Sequence, residues 1–281
     1  MFIESAPDVH AFTPAKNFTV GIPKCLSYYS LWPFYAWFFH TLGIKVVLSR
    51  TISDVGSARV ESNYCYPADI AHGTIQDLMD QKVDYIFIPH FKDIQSYEKN
   101  VQCNTCPVTQ ILPYYIKKAF TEITEEKLLA PIINFMNGNT STRKEMIQIG
   151  KKLGIKQKVS RHAFEIALKK QKEYAAKART LGLEAIKNAR ESKTPVIALL
   201  GRPYNAFTED ANMGIPKKFL GLGYSVIPFD ILPFESENIF SNMYWYYGQQ
   251  NMKVSQLIQK EDNIFITYIS NFSCAPDSFM L

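Results

Sequence analysis

Cysteine is the residue type in this chain with the most chemistry to offer. Five thiols stand at Cys25, Cys65, Cys103, Cys106 and Cys274. Cys103 and Cys106 form one C-x-x-C in VQCNTCPVTQ, Cys65 lies in SNYCYPAD, and Cys274 lies in NFSCAPDS. Proline follows Cys65, Cys106 and Cys274 within two residues, and each of the three falls in a loop beside a strand end or a helix start. A helix start offers unpaired N–H groups and a positive dipole end, which favour the thiolate. Three loops delivering thiolates to one crevice would make a soft-metal or cluster site. Other readings stand beside it. A redox dithiol works from a first cysteine at a helix start, whereas here Pro107 follows the second. A zinc site wants a second close pair of ligands, and the chain has one pair only. A buried, inert cysteine is the simplest reading of Cys25 in GIPKCLSYY, and it stays open for the others.

Two residues are candidates for catalytic work. His90 ends the apolar run IFIPHF, where it can donate to a substrate carbonyl or a cluster sulfide. Arg202, in LLGRPYN, offers a guanidinium to a phosphate or carboxylate at a strand-to-helix turn. Glu209 and Asn212 follow in the same loop. His72, seven residues after Cys65 on an expected helix, reads as a packing histidine. Tyr244, Trp245, Tyr246 and Tyr247 read as an aromatic packing surface, or as the lining of a ligand cleft or an electron-transfer interface.

The elements that must position these residues alternate. Apolar runs at 18–23, 44–49, 83–89, 195–203, 224–229 and 262–270 read as strands. Helices are expected over about 30–42, 67–81, 107–118, 215–222 and 242–260, with Gly43 closing the first and Pro67 near the start of the second. The segments GIPKC…HTLGIKVVLS and GRPYN…LGLGYSVIPF follow one plan: strand, Gly-x-Pro, helix, Leu-Gly, strand. This alternation argues for an α/β fold with two Rossmann-like parallel-sheet subdomains facing a cleft and linked by a helical segment. The expected division is an N-terminal extension (1–17), a first cysteine-bearing subdomain (18–140), a helical linker (141–194) and a second subdomain ending in a cysteine loop (195–281). The linker reads as two helices broken near 154–156. Ser160 is expected to cap the second, and Phe164, Ile166, Ala167 and Leu168 to form its buried stripe.

The bulk composition excludes more than it assigns. With 281 residues and 47% hydrophobic content, the chain can bury one large core or two modest ones. A net charge of +5, spread over a helical middle section, does not describe a nucleic-acid surface. No run reaches roughly 18 apolar residues, so no membrane span is expected. The N-terminus lacks the pattern of a signal peptide, and an odd cysteine count with wide spacing fits a reducing cytoplasmic compartment.

Taken together, SNYCYPADIAHGTIQDL, VDYIFIPHF, NTCPVTQ, VIALLGRPYN, MYWYYGQQ and ITYISNFSCAPDSF resemble one family over residues 18–281. It is that of the acyl-CoA dehydratase activase-related proteins, or CoA-substrate-specific enzyme activases (the DUF2229 domain). That family is itself similar to 2-hydroxyacyl-CoA dehydratase subunits and double-cubane cluster proteins. The resemblance implies a [4Fe–4S] cluster on Cys65, Cys106 and Cys274, with Cys103 either a fourth ligand or a neighbour. A pair of linked cubanes would need about six cysteines, so a single cubane fits better. The implied function is an iron–sulfur protein that accepts low-potential electrons as a reductase-like or dehydratase-like component, fed by an ATP-hydrolysing iron–sulfur activator. The alternatives are a non-catalytic electron-transfer or structural cluster module, and a metal-free α/β protein. No intrinsic ATP site is expected, since no phosphate-binding G-x-x-x-x-G-K-[ST] loop is present. A homodimer is in keeping with the superfamily. The chain stops seven residues after Cys274, which suggests a short member or a fragment of a longer protein.

Overall fold

The computed structural model describes residues 6–7, 14–62, 65–94, 101–136, 138–238, 240–271 and 273–280. Most of the expected N-terminal extension lies outside the described residues. The chain is α/β with parallel sheets, and it divides into two units: residues 1–95 with 105–174, and residues 96–104 with 175–281.

The first unit runs β1 (Thr19–Ile22), α1 (Tyr28–Thr41), β2 (Lys45–Leu48), α2 (Asp54–Ser57), α3 (Tyr66–Asp80), β3 (Tyr85–Phe87) and β4 (His90–Asp93). It continues with α4 (Pro107–Ala119), β5 (Leu128–Leu129), β6 (Ile132–Asn134) and α5 (Thr140–Lys152). The residues of α6 (Gln157–Glu191) through Tyr174 also belong to it. The strands order as β2-β1-β3-β5, all parallel, with β4-β6 as a second parallel pair. The sequence read one strand ending at 89, but the strand breaks at Pro89 and runs on to Asp93. Pro89 and Pro131 lack the N–H a ladder needs. Ile88 N–H to Leu129 O and His90 N–H to Pro131 O, each 2.9 Å, carry the pairing across the gap.

Helix α1 is apolar almost all round, and Trp32, Phe34, Phe38 and Phe39 are fully buried in the unit's core. Pro33 inside it disturbs the ladder. The Phe34 N–H donates to Gln171 Oε1 at 3.1 Å, and Gln171 Nε2 donates to Ser30 O at 2.9 Å. One amide from α6 thus braces the turn of α1 that the proline disturbs. Beyond α1, Gly43 at φ +74° closes the helix as expected, with Ile44 N–H bonded back to Phe39 O.

The linker helices break where the sequence placed the break. Ser160 is not a cap, however. It lies one turn inside α6, fully buried, with its hydroxyl on Lys156 O. A methyl at position 150 would overlap Ser160 Oγ, so glycine there lets α5 and α6 approach.

The second unit runs from the rest of α6 through β7 (Val196–Gly201), α7 (Pro203–Ala206), α8 (Glu209–Asn212), α9 (Ile215–Gly221) and β8 (Ser225–Pro228). A 3-10 turn (Phe229–Ile231), α10 (Tyr246–Ile258), β9 (Ile264–Ile269) and α11 (Ala275–Ser278) complete it. Its parallel sheet has the order β8-β7-β9, and the central β7 is buried throughout. Gly201 ends β7 at φ +140°, where a methyl would overlap Ile269 O. Asn251 on α10 pins both polar groups of Gly201: its Oδ1 accepts from Gly201 N–H at 3.1 Å and its Nδ2 donates to Gly201 O at 3.2 Å. α10 starts four residues later than the sequence suggested. The residues before it are extended instead, with Asn104 N–H on Tyr244 O and Tyr246 N–H on Asn104 O. Among the described residues no helix is long and apolar enough to cross a membrane.

Candidate functional site

The cysteines do not form the expected cluster site. Among the described residues, no group of three or more His, Cys, Asp or Glu side chains is placed to hold a metal ion. The [4Fe–4S] cluster, the low-potential electron function built on it and the metal-binding and oxidoreductase reading are therefore corrected: the donor set is not assembled. The shared Cys-Pro spacing has a simpler cause. Cys65, Cys106 and Cys274 each occupy the N-cap position of a helix, with proline in the first turn, where its missing N–H costs nothing. The motif marks three helix starts rather than one crevice. Cys65 and Cys106 belong to the first unit, Cys103 and Cys274 to the second. All five cysteines are outside any disulfide.

Where the thiols respond to their surroundings, they respond against thiolate. Burial pushes Cys25 up to about 12, despite a hydrogen bond with Thr74. Burial likewise pushes Cys274 up to about 11, against the pull of Arg202. The expected dipole effect is outweighed there, since α11 is a single turn.

The other candidates are engaged. His90 Nδ1 is 2.9 Å from Gln110 O, and its ring lies 4.7 Å from that of Tyr114. Arg202 is 1% exposed, and the carboxylate it meets belongs to this chain: Nε donates to Asp277 Oδ1 at 2.8 Å, while Ser270 Oγ donates to Asp277 Oδ2 at 3.0 Å. This pair lies beyond the carboxyl ends of β7 and β9, ties α11 to the sheet and stands beside Cys274. Asn212 donates to Ala206 O at 2.8 Å and accepts from Gly214 N–H at 2.9 Å.

A cavity of about 230 Å³ lies in the first unit, between α3 and α4. Its construction is helical: Val108, Leu112, Tyr115 and Ala119 recur at the spacing of one face of α4, and Ala68 and His72 at the spacing of one face of α3. The segment after α2 supplies Val60, Arg59 and Glu61. His72 is 4% exposed. Its Nδ1 lies 2.8 Å from Ala68 O, its ring stacks on Phe120 at 6.0 Å, and burial holds its pKa below the usual imidazole range. A carbonyl accepts only, so the neutral ring carries its proton on Nδ1, and Nε2 is left as an acceptor. Among the described residues Nε2 has no hydrogen-bond partner. The cations at the cavity are matched: Arg59 bonds Glu122 at 3.0 Å and Ala119 O at 3.2 Å, and Lys118 faces Glu61 at 3.6 Å.

The sequence reading of His72 as a packing residue is correct for Nδ1 and for the ring faces, and it missed Nε2. The usable signal was the apolar spacing 108/112/115/119 facing 68/72. That spacing marks one face of α4 set against one face of α3.

Parallel strands wrapped by helices, with a small apolar cavity between two of those helices, define an α/β protein of the Rossmann-like class. Within that class the chain belongs to the family described as the CoA enzyme activase uncharacterised domain (DUF2229), whose model matches residues 19–232. The match includes α3, α4 and the cavity, and it ends before α10, β9 and Cys274. No curated protein and no solved structure matches the chain.

Proposed function

We propose that this chain is a metal-free ligand-binding module of the CoA enzyme activase family, with its site in the cavity between α3 and α4. One observation carries the reading: a buried histidine with an uncommitted ring nitrogen stands beside the apolar walls of Ala68, Val108 and Leu112, while Arg59, Glu61, Ser62, Tyr115 and Lys118 supply the polar part of the lining. Apolar walls with one placed polar group are the usual make-up of a small-molecule site. The family's description as a CoA enzyme activase domain is in keeping with a partner in an activase system, and cysteines outside any disulfide support a reducing, cytoplasmic setting. The test is methyl NMR against a panel of small neutral fragments. Binders should shift the methyls of Ala68 and Leu112, and Leu112→Trp, which fills the cavity, should abolish those shifts. A panel that leaves the Ala68 and Leu112 methyls of the wild-type chain unmoved refutes the module.

A further inference from the structure

We infer that the cavity selects a neutral, ring-sized apolar molecule carrying one hydroxyl or N–H donor, and that the donor is received by His72 Nε2. The inference rests on the cavity being a binding site and adds the class of ligand. Size comes first. A cavity of about 150 Å³ lined by aliphatic and aromatic side chains admits benzene, so about 230 Å³ admits a monocyclic ring with a substituent.

Polarity comes second. The walls offered by Ala68, Val108 and Leu112 carry no side-chain polar atom. Among the buried lining side chains, Ala68, His72 and Leu112, His72 alone carries polar atoms, and its Nε2 keeps a lone pair because the Ala68 carbonyl fixes the proton on Nδ1. A lone pair in apolar surroundings is costly unless it receives a donor. A ligand that supplies a donor there regains a hydrogen bond, whereas a ligand with only acceptors meets lone pair with lone pair.

Charge comes third. Arg59 is matched by Glu122, and Lys118 by Glu61, so the rim offers no net charge to an anion or a cation.

The probes are phenol and toluene, nearly equal in shape and differing in the donor. Affinities for both are measured on the wild-type chain and on His72→Leu, and the ¹⁵N shift of His72 Nε2 is followed in the wild type. The preference for phenol over toluene should fall about tenfold in His72→Leu, the worth of one hydrogen bond to a buried acceptor. The Nε2 resonance should move with phenol and stay with toluene. An unchanged preference in the variant, or a still Nε2 with phenol bound, overturns the ligand class and leaves the binding module standing. If His72→Leu does not fold, the wild-type Nε2 shift alone decides. Failure of both probes to bind removes the ligand class, and the fragment panel then decides the module.

Discussion

Asp93→Asn should stabilise the first unit at neutral pH and flatten its pH dependence. Asp93 ends β4 with no exposed surface. Its Oδ1 accepts from Phe135 N–H at 2.7 Å and from Met136 N–H at 2.8 Å. Its Oδ2 is buried with no partner among the described residues, and so is Oδ1 of Asn134, its register partner on β6. Each residue of this register pair therefore keeps one buried acceptor without a donor. Burial raises the Asp93 pKa, and the two backbone N–H groups and Lys92 only partly offset it. A group whose pKa is raised on folding contributes stability below its unfolded value, near 3.9 for aspartate, and loses it as pH rises through the folded value. The carboxylate is thus a liability at pH 7, and the protonated acid, which is uncharged and carries a donor of its own, is not. Asparagine copies the acid: its oxygen keeps the two backbone bonds and its NH₂ supplies the missing donor. Weaker bonds to a neutral oxygen take back part of the gain, which leaves about 1 kcal/mol in favour of the variant at pH 7 and near zero at pH 3.5. Urea unfolding followed by circular dichroism at both pH values measures this. A variant less stable than wild type at pH 7, or one that keeps the wild-type pH dependence, refutes the reasoning.

Two further outcomes follow from named contacts. Gln171→Leu should cost about 2–3 kcal/mol in denaturant unfolding, because it removes the two hydrogen bonds by which α6 holds the Phe34 N–H and the Ser30 carbonyl of α1; a loss below half a kcal/mol would mean that water replaces the amide. Cys274, pushed up to about 11 by burial, should alkylate with iodoacetamide at pH 7.5 at least tenfold more slowly than a free thiol, and mass spectrometry of the tryptic peptide reads the rate.

Much of the fold was legible in the sequence because its signals are local. Strand and helix alternation, Gly43 as a helix stop and the break near Gly154 depend on neighbours in sequence. The misses lie where a distant residue intervenes. The strand at 83–89 was cut short because its continuation past Pro89 depends on pairing with residues around Pro131. Ser160 looks like a cap until its packing on Gly150 is known. The candidate site was less legible for the same reason. The cysteine motifs were conspicuous, yet their spacing expresses helix-start chemistry that each helix satisfies separately. His72 and Asp93 were quiet in sequence, and their interest lies in one unpaired atom each.

The Gln171 amide that bridges the Pro33 gap has a consequence for the order in which the chain matures. Its partners in α1 lie about 140 residues earlier in the chain. During synthesis α1 emerges well before the residue that braces its Pro33 turn. It stays a weak, frayed segment until the ribosome has delivered α6, and closing so wide a loop is slow. α1 is therefore made well before it becomes secure, and a chain truncated before residue 171 should leave α1 open to protease although all of α1 is present.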